Sequence, residues 1–400
     1  MKFLVLIFGT GMYVTGRGTD GPGTIFPAII EVARANPESN YDVVLFATNE
    51  ASANLCCRYL AKMSLLHEDL RATLTTRVVI GMSRERIEQV VSESGETHLA
   101  SIVAVPDHAH YDIIDRCADI GAHVLTVKPF VENLRQARAL IAKFQKKGLL
   151  GCVEFHKRKD MSNIVAKDLF ESGRLGALNS VCVNYSQRLS IPTKIFKKWA
   201  EETNIFQYLA VHYVDQICFV TGAIPRRAIA FGVKNKLVDI GINGYDEIHA
   251  IIEWEKESRF FLSNIRCSWI DSDLTSAMSD QSISYHGTEA SLSLNQKDRG
   301  IQFVDRHVGV QDLNPYFSIT TSSGKGDRNY AGYGIDSVVK FFEDVTGVCL
   351  AGSLDVISEG ETPTFSECLP SVAVVEAVNK SLRINSNWVE IENARSDVAG

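Results

Sequence analysis

The sequence lacks several features that would assign it at once to a familiar class of protein. No apolar run approaches the ~20 residues that span a membrane. The N-terminal run from Phe3 to Phe8 falls short of the ~7–15 residues of a secretory signal. The nine cysteines include no Cys-x-x-Cys pair, which argues against a disulfide framework and a cysteine metal site. We therefore expect a cytoplasmic protein with reduced thiols and no membrane partner.

The sequence also has fewer positively charged than negatively charged residues. Lys and Arg number 41 against 48 Asp and Glu, so the formal net charge is −7 at pH 7. Nucleic-acid binders usually present a basic surface, and the charge balance predicts no such partner. The chain has 400 residues, of which 45% are hydrophobic and 22% charged. That composition is typical of a soluble globular protein, and the length favours two domains.

Residues 1–150 alternate short apolar runs with helical patterns, which is typical of a parallel βαβ array. The predicted strands are Phe3–Phe8, Tyr41–Ala47, Arg77–Ile80, Leu99–Val105 and His123–Val127. The predicted helices are Pro27–Ala35, Ala51–Met63, Arg84–Ser92, His110–Ile120 and Val131–Lys147.

Residues 151–400 show longer strands with an alternating pattern, which indicates a large, mainly antiparallel sheet. The predicted strands are Cys152–His156, Val181–Gln187, Ala228–Val233, His249–Glu255, Arg259–Ser268 and Gln281–His286. The predicted helices are Ser162–Glu171, Phe206–Val220, Gly334–Thr346 and a closing helix, 366–382, expected to pack on the first domain. Residues 314–332 are predicted to form a long loop.

A glycine-rich turn directly follows the first predicted strand. Gly9 and Gly11 fit the first two positions of a dinucleotide-binding turn, where the backbone bends tightly and approaches a pyrophosphate. Val14 stands in the third glycine position, and Gly16 follows two residues later. A Walker phosphate loop is disfavoured because no Lys-Ser/Thr pair follows, and a glycine loop without a ligand is the other alternative. In its βαβ context the turn predicts a Rossmann-type, doubly wound domain over 1–150 whose cofactor contacts include Gly9, Thr10, Gly11, Met12 and Tyr13.

The end of the second predicted strand bears on the choice of cofactor. An acidic residue there would bind the ribose 2′-hydroxyl of NAD, whereas small polar or basic residues leave room for the 2′-phosphate of NADP. Thr48 and Asn49 occupy these positions and favour NADP, while Glu50 keeps NAD open.

The ordered set of motifs resembles the glucose–fructose oxidoreductase/inositol dehydrogenase (Gfo/Idh/MocA) family over nearly the whole chain. The motifs are PDHAH at 106–110, VLTVKPF at 124–130, GCVEFHKRKD at 151–160, ESGRLG at 171–176, YLAVHYVD at 208–215, HGTEA at 286–290 and WVE at 388–390. The resemblance implies an N-terminal Rossmann domain and a C-terminal α/β domain for substrate binding and oligomerisation, joined near residue 150. It also implies cofactor contacts from the turns that contain Val105, Pro106, His108, Lys128 and Pro129.

Three positions depart from the family pattern. Val127 replaces the Glu before Lys-Pro, Asp107 replaces the usual Asn, and Tyr208 replaces the Asp that lies four residues before His212. The last of these changes the expected catalytic set, because a tyrosine supplies no carboxylate.

Three side chains are the candidates for catalysis. Oxidation of an alcohol needs an acid/base near the carbinol oxygen and stabilisation of the charge that develops on it. The resemblance gives Lys128 the second role. His212 is a suitable proton carrier because imidazole titrates near neutrality, and Tyr208, on the same predicted helix face, is the alternative carrier. Each also has an ordinary structural interpretation: a strand-end lysine, a core histidine and a packed aromatic ring.

Basic residues concentrate in segments that flank the predicted cleft. They are Lys157, Arg158, Lys159, Arg188, Lys194, Lys197 and Lys198. This excess favours an anionic carbohydrate substrate, with Arg158 and Arg188 as the first candidates to bind it beside Lys128, Tyr208 and His212. Solvated surface charge is the alternative. No metal site is predicted, since His108 and His110 lack a convincing third ligand.

Two functions remain open at this point. The first is an NAD(P)-dependent oxidoreductase that acts on a hydroxyl or keto carbon of a sugar, nucleotide sugar, sugar acid or cyclitol. The second is a non-catalytic nucleotide-binding or sensor protein with the same architecture, which the changes at 127 and 208 favour. By resemblance, we expect a homo-oligomer, a dimer or tetramer.

Overall fold

The computed structural model describes residues 1–19, 21–95, 97–195, 200–322, 328–358 and 360–391. The chain divides into two compact units. The first contains Met1–Val131, Arg135–His156 and Tyr316–Phe365, and the second contains Glu132–Leu134, Lys157–Pro315 and Ser366–Gly400. No helix in the described ranges is both long and apolar enough to cross a bilayer.

The first unit is built on strands that are short and mostly buried. In chain order they are β1 (Lys2–Phe8), β2 (Asn40–Ala47), β3 (Leu74–Ile80), β4 (His98–Val103), β5 (His123–Val127) and β6 (Gly151–Glu154). They pair in parallel in the order β3-β2-β1-β4-β5-β6. Every side chain from Phe3 to Phe8 is fully buried, as expected for a central strand covered on both faces. The predicted doubly wound parallel sheet is confirmed.

Helices connect the strands of this sheet, and two of the helices begin at residues whose side chains cap them. The connecting helices are α1 (Met12–Thr15), α2 (Ile25–Ala35), α3 (Glu50–Leu66), α4 (Arg84–Glu93), α5 (His110–Asp119) and α6 (Leu134–Lys147). Asn49 caps α3 by accepting a hydrogen bond from the backbone N–H of Ser52 over 3.0 Å. Ser83 caps α4 in the same way. Side-chain caps of this type stabilise a helix by about 1 kcal/mol each.

The second unit contains a larger sheet with mostly antiparallel neighbours. The strands of this sheet include β7 (Leu178–Arg188), β8 (Ile224–Val233), β9 (Glu247–Lys256), β10 (Arg259–Asp271), β11 (Ser279–Gly287) and β12 (Ser291–Asn295). The unit also contains a separate hairpin of β13 (Ile301–Asp305) and β14 (Gly309–Leu313). The helices of the second unit include α7 (Met161–Glu171), α8 (Val211–Thr221) and α9 (Lys236–Asp239). The predicted mainly antiparallel sheet is confirmed, with one parallel pair, β7 and β10.

Three features differ from the sequence predictions. The strand predicted at Cys152–His156 within the antiparallel sheet is Gly151–Glu154, the sixth parallel strand, and it pairs with β5. Part of the predicted loop forms a hairpin of β15 (Ile319–Ser322) and β16 (Arg328–Ala331). The helix that follows, α10 (Tyr333–Ala351), belongs to the first unit rather than to the predicted second domain. The cause is its apolar face, which packs in the same buried core as β1 and α2.

The closing helix α11 (Leu369–Arg383) belongs to the second unit. It lies on the second sheet, where the Ser381 hydroxyl accepts a hydrogen bond from the backbone N–H of Ala230 over 3.0 Å. A short strand, β17 (Val389–Glu390), completes that sheet in the order β12-β11-β7-β10-β9-β8-β17. The packing of α11 on the first domain stays a prediction.

Candidate active site

The glycine turn ends β1 at the carboxyl edge of the parallel sheet. Gly9 has a φ of +107°, and a Cβ there would collide with the carbonyl oxygen of Ala104 at the end of β4. Only glycine fits this position without strain. At Gly11 a Cβ would meet nothing within 4 Å, so the backbone is open to a ligand on that side. The turn therefore fits the pyrophosphate of a dinucleotide, with Thr10, Met12 and Tyr13 beside it.

The later glycines build a compact loop. Gly16 ends the single turn of α1 in the left-handed region, with φ +71°, and its α-carbon lies against the backbone of Gly21 and Gly23. The chain needs this loop before α2 can begin at Ile25. The missing third glycine at position 14 is thus explained, since the buried Val14 lies in α1.

The carboxyl end of β2 carries polar groups that suit the adenosine ribose. Thr48 and Asn49 are exposed, and the Asn49 amide donates to the Thr48 hydroxyl over 3.2 Å. Arg17, from the glycine loop, donates to the hydroxyl of Ser52 in the first turn of α3, over 3.2 Å. Arg17 is not among the cofactor contacts that the sequence predicts. The one local signal for Arg17 is that it is a single cation inside the glycine-rich run. Its position near the end of the second strand follows only from the folded chain.

Lys128 follows β5 at the same edge of the sheet. Its side chain is half-buried, and the Lys128–Pro129 peptide bond is cis. Burial lowers the pKa of Lys128 to about 8, while the carboxylates of Asp107 and Glu154 act in the opposite direction. An amine with such a pKa holds a positive charge in most molecules at neutral pH and can still exchange a proton near it.

The turn after β4 is held by His110. Its ring nitrogens lie 2.8 Å from the Pro129 carbonyl oxygen and 2.9 Å from the Val105 carbonyl oxygen. The ring is fully buried, so His110 ties the ends of β4 and β5 together. His108 is exposed and Pro106 partly exposed. Within the described ranges, no group of three potential metal ligands occurs.

A second cluster at this edge was missed by the sequence analysis. Glu154, the last residue of β6, is buried, and the hydroxyl of Ser337 donates to its Oε1 over 2.7 Å. Its two carboxylate oxygens lie 3.1 and 3.0 Å from Nδ1 of His156. The Tyr13 hydroxyl lies 3.4 Å from the same nitrogen. Burial and the Glu154 carboxylate raise the pKa of Tyr13 well above its usual value.

Aromatic rings surround this cluster. The ring of Tyr333 stacks on His156 with the centroids 5.6 Å apart, and Phe317 lies 5.1 Å from the same imidazole. Tyr13 and Phe317 stack at 6.5 Å. A carboxylate, an imidazole and a phenol in such a setting form a buried polar network whose members orient one another.

In the second unit, His212 and Tyr208 lie in one helical segment. His212 is 4% exposed and lies in the first turn of α8. Tyr208 lies in a π-helical turn, Phe206–Ala210, that precedes α8. Its partly exposed ring lies against Trp269, with the centroids 6.4 Å apart. Single π-turns inside helices occur often at functional sites, but the simple α-helical face predicted for this pair is corrected.

Arg158, a predicted substrate contact, lies in a buried network of ion pairs. Its Nε and Nη2 donate to the Asp215 carboxylate over 2.9 and 2.6 Å, and its Nη1 donates to Glu367 over 2.6 Å. The side chains of Arg158 and Asp215 are 5% and 2% exposed. Burial alone would lower the pKa of Arg158, but these carboxylates raise it, so the guanidinium stays charged.

Other predicted cations are also engaged. Arg188 donates from Nε to the Thr275 hydroxyl over 3.1 Å and from Nη2 to the Thr275 carbonyl oxygen. Lys157 donates to the amide oxygen of Gln281 over 2.7 Å and lies 4.9 Å from the ring centroid of Tyr213. Lys194 is exposed and pairs with Asp273 at 3.8 Å. Lys159 is partly exposed. Lys197 and Lys198 lie outside the described residues.

A cavity of about 510 Å³ lies in the second unit, next to the segment that carries Tyr208. Its wall is rich in carboxylates and amides. The polar lining includes Glu132, Glu201, Glu202, Glu376, Asn204, Gln207 and Asn379, with two cations, Lys234 and Arg383. Asn204 and Gln207 both hydrogen-bond to Asn379, over 2.7 and 3.1 Å. This wall suits hydroxyl groups better than an anion.

Two family models match the chain. The description of the first is an oxidoreductase family with an NAD-binding Rossmann fold, and it matches residues 23–155. The second is the GFO/IDH/MocA C-terminal domain, which matches residues 164–293. Together they span well over half of the chain.

Individual proteins agree with these matches. The uncharacterised oxidoreductase YhhX of Escherichia coli is 32% identical over 123 residues, which are 30% of this chain and 35% of that protein. The inositol 2-dehydrogenase of Rhizobium meliloti is 24% identical over 210 residues, 51% of this chain and 59% of that protein. The alignments with the first curated relatives cover about a third of their lengths.

The fold extends further than the sequence similarity. The crystal structure of scyllo-inositol dehydrogenase from Lactobacillus casei, with bound NAD(H) and scyllo-inositol, superposes with a TM-score of 0.66. It is 14% identical and covers 98% of this chain and 99% of that one. At this identity the likeness establishes the fold.

Proposed function

The chain belongs to the Gfo/Idh/MocA family of NAD-binding oxidoreductases, and from this premise we propose that it transfers a hydride between a nicotinamide cofactor and a hydroxyl- or keto-bearing carbon of a small carbohydrate. The observation that carries the proposal is the position of Lys128. It follows β5 at the carboxyl edge of the parallel sheet, the edge that also carries the turn at Gly9 and Gly11. Open α/β sheets bind their ligands at this edge.

The chemistry divides between the cofactor and the chain. When bound, the dinucleotide supplies the hydride acceptor for oxidation or the donor for reduction. Lys128 donates a hydrogen bond to the substrate oxygen and stabilises the charge that develops on it. His212 takes the hydroxyl proton during oxidation and returns it during reduction. Tyr208 is the alternative proton carrier.

For the cofactor we propose NADP in preference to NAD. Thr48 carries no charge that would repel a 2′-phosphate. Asn49 caps α3 and Ser52 lies in its first turn, where the helix dipole favours anions. The Arg17 guanidinium hydrogen-bonds to Ser52 at this point and can pair with a phosphate. Glu50 is the one carboxylate at the start of α3, and it is the reason to test NAD in parallel.

The cofactor proposal is tested by titrating the intact protein with NADPH and NADH and following their fluorescence. We expect tighter binding of NADPH, and we expect Arg17→Ala to weaken NADPH about tenfold or more while NADH changes little. Arg71→Ala is the matched control, because Arg71 is exposed and pairs only locally with Glu68. Tighter binding of NADH by the wild-type protein would refute the preference.

For the substrate we propose a neutral polyhydroxylated molecule, such as a cyclitol or a sugar. The arginines that favoured an anionic substrate are engaged with Asp215, Glu367 and Thr275. The cavity beside the Tyr208 segment is lined by more carboxylates than cations. Sugar acids and nucleotide sugars are thus the less favoured classes.

A screen of cyclitols, sugars, sugar acids and nucleotide sugars with both cofactors tests this assignment. We expect reduction of the cofactor by a neutral polyol. Tight cofactor binding without redox change across the whole screen would instead favour the non-catalytic binding protein.

We also propose that the protein is a homo-oligomer that associates through the exposed face of the second sheet. Phe231, Phe260 and Leu262 lie on this face and are 50%, 58% and 45% exposed. Three large apolar side chains on one sheet face are typical of an interface. Light scattering of the purified chain should give a dimer or tetramer, and Phe260→Lys should reduce the mass to that of a smaller species.

A cytoplasmic location completes the proposal. It is supported by the nine cysteines, none of which forms a disulfide, as expected for a reducing compartment.

A further inference from the structure

Glu154 lies on the strand next to Lys128. The parallel pairing of β5 and β6 sets Glu154 opposite Val127, the residue that precedes Lys128. The Glu154 side chain is only 3% exposed. A buried carboxylate is costly unless hydrogen bonds or a nearby cation stabilise it, so its surroundings indicate its role.

The hydrogen-bond partners of Glu154 fix the position of its carboxylate. Ser337 is neutral and donates to Oε1, and the Tyr13 hydroxyl is held protonated by its raised pKa. His156 contacts both carboxylate oxygens and is itself stacked against Tyr333. With the ring packing on one side and the sheet on the other, the carboxylate has little freedom to turn away.

The negative charge of Glu154 acts on the ammonium group of Lys128. Burial disfavours the charged form of Lys128 most strongly, and its ammonium group is attracted first by Asp107, from the turn after β4, and then by Glu154. The two carboxylates approach from different elements, β6 and the β4–α5 turn. Asp107 is also buried, so both carboxylates act through a medium that screens charge poorly.

We propose that Glu154, whose carboxylate lies on the neighbouring strand opposite the uncharged Val127, is a positioning residue of Lys128 that, together with Asp107, holds the ammonium group at the carboxyl edge of the sheet. Ser337, His156 and Tyr13 hold the carboxylate in place for this purpose. Its catalytic consequence rests on the function proposed above, since the charged lysine is then the donor to the substrate oxygen. The effect of Glu154 on the charge of Lys128 does not rest on that function, because the lysine titrates whether or not a substrate is turned over.

The test measures the titration of Lys128 directly. Trace acetylation of the full-length folded chain over a range of pH, followed by mass spectrometry of the peptide that contains Lys128, gives the midpoint at which the amine becomes reactive. In Glu154→Gln we expect this midpoint to fall by about one unit, because an adjacent opposite charge typically shifts a pKa by that much or more. Glu93→Gln is the matched control, since Glu93 is exposed and lies on α4 beside Arg77.

A relocation variant distinguishes charge from packing. Val127→Glu combined with Glu154→Gln returns a carboxylate to the adjacent register position, and we expect the Lys128 midpoint to rise back towards the wild-type value. Should Glu154→Gln fail to fold, Glu154→Asp keeps the charge but shortens its reach by one methylene, and a smaller fall is expected.

The inference is overturned if the midpoint stays in place or rises when Glu154 loses its charge. With a substrate in hand, the pH profile of kcat/KM should shift in Glu154→Gln in the same direction as the labelling midpoint. If the wild-type chain turns over no carbohydrate, the proposed function fails, while the labelling result still decides the role of Glu154.

Discussion

Replacing Arg158 by methionine leaves the Asp215 carboxylate buried in the second unit without its bidentate partner. Two hydrogen bonds, of 2.9 and 2.6 Å, are lost from Asp215, whose side chain is only 2% exposed. Glu367 loses its 2.6 Å bond as well, but it is 25% exposed and can be hydrated. Breaking a buried ion pair by removing one partner costs about 3–5 kcal/mol. For a unit of this size each kcal/mol lowers Tm by about 2–4 °C.

We therefore expect Arg158→Met to lower the Tm of the second unit by about 10 °C, measured by calorimetry. Arg158→Met with Asp215→Leu should recover most of this loss, because an apolar pair carries no stranded charge. Arg188→Met is the matched control and should cost far less, since its partner Thr275 is neutral and the arginine is partly exposed. A variant that keeps its wild-type Tm but binds substrate weakly would restore Arg158 as a substrate ligand and refute the structural role.

Three further outcomes are expected. Gly9→Ala should destabilise the first unit by more than about 1 kcal/mol and weaken cofactor binding, because φ at this residue is +107° and the added Cβ collides with Ala104. Urea unfolding measures the loss of stability, and NADPH titration measures the loss of binding. Burial, and to a smaller extent His98, lowers the pKa of His123 to about 4, so its stabilising contribution is complete above pH 6.5 and is lost as pH falls towards 4. In His123→Gln the urea midpoint should vary less over that range. A thiol reagent should label the exposed Cys57 in the native protein and leave Cys117, whose pKa is raised by burial to about 12, unreacted until unfolding.

Each of these three predictions would be contradicted by a specific result. Wild-type stability of Gly9→Ala would mean that the turn relaxes away from Ala104. An identical pH dependence of His123→Gln and wild type would place the titration elsewhere. Rapid labelling of Cys117 in the native state would contradict its burial.

Much of the first unit could be predicted because its strands are nearly continuous apolar runs. Phe3–Phe8 and Tyr41–Ala47 are buried on both faces, and such runs signal parallel strands directly. The strand Gly151–Glu154 was assigned to the wrong sheet because a four-residue run does not reveal its neighbour. The placement of α10 was missed for a similar reason. Its apolar face predicts a helix, but which core receives it depends on contacts with residues about 300 positions earlier in the chain.

The candidate site was only partly readable from local sequence. Lys128 and the turn at Gly9 were found because motif spacing marks them. Glu154 was missed because a carboxylate at the end of a short strand has no local signal, and its relation to Lys128 comes from strand register. Arg158 is predicted to bind the substrate because the sequence shows an excess of cations, whereas its ion pair with Asp215, 57 residues away, has no local sequence signal.

The central claim, that Lys128 serves hydride transfer at the carboxyl edge of the parallel sheet, is tested most directly with a polyol that carries deuterium on the oxidised carbon. The wild-type chain should move deuterium into the reduced cofactor, and Lys128→Ala should keep the wild-type Tm while losing most of the transfer. A Lys128→Ala protein that transfers deuterium at nearly the wild-type rate would contradict the account.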